Sequence, residues 1–77
     1  MSDVEQRVKK VVAQVLKVDP ARITPQARFV EDLGAESIQS VFLIAAFEEE
    51  FDIDLDDEQA LVVKTVGKAV EFIEKTL

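Results

Sequence analysis

Apolar residues along the chain fall into four blocks, and their spacing predicts helices. In the first, Val4, Val8, Val11, Val12, Val15 and Leu16 recur at intervals of three and four, with Arg7, Lys9, Lys10, Gln14 and Lys17 between them. This predicts a helix from Ser2 to about Lys17, opened by a capping box of Ser2 and Glu5. Valine is stiff and only a moderate helix former, so burial of the stripe must hold this helix. Residues Val18 to Glu36 form a long connection, broken by Asp19-Pro20 and Thr24-Pro25. A connection of that length in a small domain is pinned, functional or both. Ile23, Phe29, Val30 and Leu33 are its expected anchors, with Phe29 and Leu33 packing under the bundle.

The second helix is predicted from Ser37 to about Phe51, and it carries two apolar stripes. Leu43, Phe47 and Phe51, with Ile44 beside them, form one; Ile38, Val41, Phe42 and Ala45 form the other. At 100° per residue the two stripes lie roughly opposite each other. A helix on the outside of a small bundle buries one stripe well, so the one beginning beside Ser37 is expected near solvent. An apolar stripe beside acids has the character of a partner-docking face. The alternative is a packing that wraps further around this helix. Asp56 or Asp57 then caps a short third helix, with Glu58 in its first turn and a nearly all-apolar run, Ala60 to Val63. Thr65 caps the last helix, to about Lys75, whose buried stripe is Val66, Ala69, Val70 and Ile73, with Phe72 beside it. The predicted architecture is all-α: a single domain over residues 1–77, a small four-helix bundle with a long loop between helices 1 and 2 and a short helix 3.

Composition narrows the chemistry. The 77 residues include no Cys, His, Tyr or Trp, so the commonest general base, metal ligand and thiol nucleophile are all missing. A stand-alone enzyme is not expected. The acids of Asp52-Ile53-Asp54-Leu55-Asp56-Asp57-Glu58 suggest a calcium loop, but an EF-hand counted from Asp52 needs glycine and glutamate where Asp57 and Val63 stand. No metal site is assigned. No apolar run approaches the roughly 20 residues that span a membrane, and Met-Ser-Asp-Val-Glu is unlike a signal peptide. A cytoplasmic location is expected.

Net charge is −7, unevenly spread: +3 over residues 1–28, −11 over residues 29–63 and +1 over residues 64–77. The central acidic field disfavours nucleic acid and anionic lipid surfaces, and speeds encounter with basic protein patches.

The central stretch, Phe29-Val30-Glu31-Asp32-Leu33-Gly34-Ala35-Glu36-Ser37-Ile38, reads as a turn that delivers Ser37 to the start of a helix. Gly34 supplies turn freedom, and Ser37 is a favoured N-cap type. Asp32-Leu33-Gly34-Ala35-Glu36-Ser37-Ile38 resembles the attachment motif of the acyl carrier protein family, usually Asp-Leu-Gly-Ala-Asp-Ser-Leu. Val8-Lys9-Lys10, Phe29-Val30-Glu31-Asp32 and Glu48-Glu49-Glu50-Phe51 are similar to the family too, as are the length and the four apolar blocks.

The resemblance implies that Ser37 carries 4′-phosphopantetheine, taken from coenzyme A by a phosphopantetheinyl transferase. It implies acyl intermediates held as thioesters for fatty-acid, lipid or polyketide-type synthesis, and a monomer. Partners would be acyl-ACP synthetase, ketosynthase or acyltransferase-type enzymes with basic and apolar docking patches. Docking falls to Glu36, Ile38, Val41, Phe42, Ala45, Glu48, Glu49, Leu61 and Val62. An acyl cavity would be lined by Phe29, Leu43, Phe47, Leu55, Ala60, Val63, Ala69 and Ile73. The departures are Glu36 and Ile38 around the serine, Gln39, Ser40 and Phe42 where acids are usual, and apolar Leu61 and Val62. They point to a specialised carrier with a dedicated partner set. Two other readings stay open: an aminoacyl or peptidyl carrier, for D-alanine as an example, and an unmodified acidic interaction module.

Overall fold

A computed structural model describes residues 3–77, and every regular element in them is helical. The capping box assigned to Ser2 lies outside the described residues. Helix α1 spans Asp3–Leu16, α2 spans Ser37–Phe51, α3 spans Asp57–Leu61 and α4 spans Val66–Thr76. A single 3-10 turn, Pro20–Arg22, interrupts the long connection. Helix α1 lies against both α2 and α4, and α3 against α2.

The valine stripe of α1 is buried at Val8, Val11 and Val12, with Leu16; Val4 and Val15 are half-buried at its margins. Helix α1 ends before its expected stop. Lys17 adopts a left-handed conformation (φ 57°), and the Val18 N–H donates to the Ala13 carbonyl at 3.3 Å. That 6→1 bond closes a Schellman-type end, so termination precedes the Asp19-Pro20 signal. Helix α2 ends likewise, with Asp52 left-handed (φ 54°) and the Ile53 N–H on the Glu48 carbonyl at 3.1 Å. Both ends lie within a residue of their expected places, but neither uses glycine, so their left-handed closure was not marked in the sequence.

The long connection is held on the bundle by backbone. The Phe29 N–H donates to the Lys64 carbonyl (3.0 Å), the Val66 N–H to Ala27 (3.0 Å) and the Gly67 N–H to Pro25 (2.9 Å). These bonds clip residues 25–29 to the start of α4, and Arg28 and Thr65 face each other as an isolated antiparallel bridge. Below the clip, Ile23 is 1% exposed, and Ala27, Phe29, Leu33 and Ala35 are buried. Full burial of an isoleucine contributes about 1.5–3 kcal/mol, so the loop is part of the core. Val30 departs from its expected role as an anchor. It is 54% exposed, because the chain turns outward at that residue.

Helix α3 is short, as expected, at five residues. It stops at Leu61, Val62 forms its C-cap, and the Val63 N–H closes a last turn on the Ala60 carbonyl at 3.1 Å. Of the two candidate caps, Asp56 is the one used, its carboxylate accepting from the Gln59 N–H at 3.2 Å. Thr65 caps α4 by accepting from the Lys68 N–H at 3.2 Å.

Gly67 marks the tightest point of the clip. A Cβ there would lie 2.9 Å from the Pro25 carbonyl oxygen. Alanine gains up to about 1 kcal/mol of helix propensity, but overpacking against backbone costs about 1–3 kcal/mol and weakens the Gly67–Pro25 bond. Gly67→Ala is therefore expected to destabilise the fold by about 1–2 kcal/mol. Urea titration checks this, and a stabilised variant would show that the clip yields without cost.

Candidate functional site

The turn before α2 is a folded loop whose two limbs bond each other. The Leu33 N–H donates to the Arg28 carbonyl (3.1 Å), Gly34 to Val30 (3.1 Å) and Ala35 to Phe29 (2.8 Å). Gly34 holds φ 73°, a left-handed value that disfavours side chains, although the space around it is open. Asp32 closes the loop. Its carboxylate accepts from the Arg28 N–H (2.8 Å), from Arg28 Nε (3.1 Å) and from Arg28 Nη2 (3.2 Å), while the Asp32 carbonyl accepts from Arg22 Nη2 (3.0 Å). The Arg28 guanidinium and N–H hold the Asp32 carboxyl below its ordinary value, and Asp32 in turn raises Arg28.

Ser37 emerges from this loop as the first residue of α2, exposed. The N-cap is Glu36, not Ser37. The Glu36 N–H is accepted by Gln39 Oε1 at 2.8 Å, so the glutamine three residues on takes the reciprocal half of the capping role. The Ser37 hydroxyl makes no hydrogen bond among the described residues. A serine released from capping, at a helix start, suits an esterified group.

Beside the serine the two stripes of α2 separate. Leu43, Ile44, Phe47 and Phe51 are buried, and Ile38, Val41, Phe42 and Ala45 are exposed. Leu61 and Val62 of the α3 end are exposed too, and Leu61 shares a shallow depression with Val41, Ala45, Glu48 and Asp57. Glu36 and Glu49 are exposed around this patch. Glu48 is half-buried and occupied: its Oε2 accepts from the Leu55 N–H at 2.9 Å, bracing the turn between α2 and α3.

On the buried side a cavity of about 320 Å³ opens between α2, α3, α4 and the loop. Phe29, Leu43, Phe47, Leu55, Ala60, Val63, Ala69 and Ile73 all line it. So do Val30, Glu31, Ser40, Ile44, Leu61, Lys64 and Phe72, which sequence reasoning did not place there. Ser40 stands three residues, just under one helical turn, beyond Ser37 and links the serine end of α2 to the cavity. Arg28 and Asp32 were also missed as parts of the site. Their i, i+4 spacing is a pairing signal on a helix, but here it falls in a loop.

The positions fit a phosphopantetheine arm. The exposed, uncommitted hydroxyl accepts a phosphodiester, and the helix N-terminus favours its negative charge. When bound, the arm supplies the thiol that the cysteine-free chain lacks. The chain holds the attachment point, offers an apolar cavity and leaves an apolar face beside it.

The comparisons with known proteins agree with this geometry. Residues 6–73 match the family model described as the phosphopantetheine attachment site. The protein is thus a phosphopantetheine-bearing carrier domain. An acyl carrier protein of Phenylobacterium zucineum is 51% identical over 77 residues, covering 100% of this chain and 98% of the relative. One from Caulobacter vibrioides is 52% identical, covering 99% of each. A solved structure from Mycobacterium tuberculosis, provisionally assigned as an acyl carrier protein, superposes with a TM-score of 0.88 at 30% identity, covering 96% of this chain and 99% of the other. The chain belongs to the acyl carrier protein family, and it carries acyl groups as thioesters on 4′-phosphopantetheine. Among the described residues no helix is long and apolar enough to cross a membrane, and no cluster of acidic side chains is arranged to hold a metal ion.

Two ion-paired carboxylates give the site and the bundle an acid-sensitive component. Glu50 is held below its ordinary value by Arg7 and Lys10, as Asp32 is by Arg28. A depressed carboxylate contributes stability that is present above its unfolded value and is lost as pH falls through its folded value. Stability is therefore expected to fall as pH drops from about 5 through the native values, which lie below 4.5 for Glu50 and 3.8 for Asp32. Melting wild type, Asp32→Asn and Glu50→Gln across that window checks this. Each variant should show a slightly shallower acid limb, since exposed pairs contribute little to stability, and slopes identical to wild type would remove the ion pairs as its cause.

Proposed function

We propose that Ser37 is the attachment residue and that the chain is a specialised, non-catalytic acyl carrier with a restricted set of partners. The exposed stripe of α2 carries this reading. Phe42 is 54% exposed five residues beyond the serine, and Ile38, Val41, Leu61 at the end of α3 and Val62 after it are exposed as well. Desolvating one such aromatic at an interface contributes about 1.5–3 kcal/mol. A carrier that only needed solubility would gain nothing from placing Phe there. The acidic residues Glu36 and Glu49 steer a basic partner patch, and the apolar residues then hold it. The partners fitting this face are a phosphopantetheinyl transferase and acyl-ACP synthetase, ketosynthase or acyltransferase-type enzymes. The cavity receives the acyl chain, with the eight residues named from the sequence as its wall. The absence of His and Cys supports a role as substrate rather than catalyst.

Intact mass after incubation with coenzyme A and a broad-specificity phosphopantetheinyl transferase tests the attachment. Wild type is expected to gain one phosphopantetheine and Ser37→Ala none. A gain by both, or by neither, overturns the assignment. The docking face is tested by Phe42→Glu, measured against an acyl-ACP synthetase that loads the wild-type holo chain. Loss of that burial is expected to weaken binding by about tenfold or more. Unchanged binding removes Phe42 from the interface.

A further inference from the structure

The approach of the chain to Ser37 is fixed by a small number of bonds. The N–H groups of Leu33, Gly34 and Ala35 donate to the carbonyls of Arg28, Val30 and Phe29. The limb that leads into Glu36 and Ser37 thus hangs from the limb 28–30. That limb is tied to the bundle at Phe29, through the Lys64 carbonyl, and is closed on itself at Arg28 by Asp32. Arg28 grips Asp32 in three places: its backbone N–H and two of its guanidinium nitrogens, Nε and Nη2, converge on the two carboxylate oxygens, at 2.8, 3.1 and 3.2 Å. Its Nε also lies 3.6 Å from Glu31.

The side chain of Arg28 is 54% exposed, so it adds little to the core. An exposed ion pair also contributes little to global stability. A two-pronged arginine grip fixes direction as well as distance. The guanidinium therefore restricts the loop far more than it stabilises the fold. We propose that Arg28 is a positioning residue for phosphopantetheine transfer to Ser37, acting through Asp32.

This rests on Ser37 being the attachment residue. In the transfer the Ser37 oxygen attacks the pantetheine-bearing phosphorus of the coenzyme A pyrophosphate, the serine O–P ester forms as the P–O bond to the adenosine phosphate breaks, adenosine 3′,5′-bisphosphate departs and the serine proton passes to solvent. The chain's part is to present the oxygen in line with the bond that breaks, and displacement of a reacting atom by about 1 Å costs up to about a hundredfold in rate. The docking residues of α2 are untouched by a change at Arg28. The defect should therefore appear in kcat, with KM held. Loss of the positive charge alone would strengthen the acidic field, which lowers KM for a basic transferase and leaves kcat unchanged.

The test is steady-state kinetics of modification by a phosphopantetheinyl transferase and coenzyme A, well below the melting temperature of each variant. Arg28→Ala and Asp32→Asn are each expected to lower kcat about tenfold or more, with KM within about twofold of wild type. Arg28→Lys, which keeps charge without the fork, should fall between Arg28→Ala and wild type. The double variant should be no slower than the slower single one, since both remove the same interaction. Wild-type kcat in Arg28→Ala, or additive losses in the double variant, would overturn the positioning role while leaving the attachment assignment intact. A wild-type chain that gains no mass overturns both.

Discussion

Three backbone hydrogen bonds between residues 25–29 and the start of α4 are the constraint on which the remaining structure depends. They join a loop that has little helix of its own to an end of a helix that would otherwise expose free N–H groups. Each partner satisfies the other's need. The loop gains a fixed edge, and α4 gains acceptors at Val66 and Gly67. With the edge fixed, Ile23, Ala27, Phe29, Leu33 and Ala35 enter the core at set positions. The chain is then brought to Glu36 with its direction already chosen, and α2 begins where the loop leaves it. The close approach at Gly67 is the steric counterpart of the same joint.

Helix α2 shows a division of labour that a small bundle seldom tolerates. Its buried stripe of Leu43, Ile44, Phe47 and Phe51 packs against the core, and its outer stripe, with Phe42, has no covering in the chain. Leaving large apolar groups in water forgoes about 1.5–3 kcal/mol each that burial would return. A fold with a small core does not have such stability in excess. The outer stripe is therefore costly unless another molecule covers it. The cavity behind the inner stripe follows the same logic, because unfilled apolar space loses dispersion contacts that a well-packed core would keep. Both features trade stability of the free chain for room to accept something else.

Most of the fold was legible because four apolar periodicities and four break points dominate the sequence. The inward and outward stripes of α2 separated as their angular spacing required, and Thr65 and Asp56 cap as their types suggest. What escaped were features set by tertiary geometry. Lys17 and Asp52 end helices in left-handed conformations that glycine would have advertised. Glu36 rather than Ser37 caps α2, because Gln39 reaches back to its N–H and a capping glutamine has no apolar pattern to reveal it. Val30 belongs to an apolar anchor set by type but turns outward with the loop. Lys64 and Glu31 line the cavity although neither is apolar, since the mouth is made by backbone placement and not by hydropathy. Eight apolar positions expected from the sequence share the cavity, whereas the Arg28–Asp32 frame of the loop before α2 was not legible.

The polar frame also reshapes the charge that the sequence displays. The central segment carries eleven acids and no base, but the fold returns cations to it from the first 28 residues. Arg7 and Lys10 meet Glu50, Arg7 also lies over the Phe51 ring at 4.4 Å, and Arg28 meets Glu31 and Asp32. Glu48 is turned inward to the Leu55 N–H. Neutralisation is thus concentrated at the α1 side of α2 and at the loop. The acids left without a cation in these pairings, among them Glu36, Glu49, Asp57 and Glu58, are exposed. A Debye length of about 8 Å at physiological salt confines the reach of such a field to its own neighbourhood. Local pairing, more than the net charge of −7, therefore decides where a basic partner is drawn. On the docking face proposed beside Ser37, exposed Glu36 and the apolar stripe would then bring electrostatic encounter and apolar contact together.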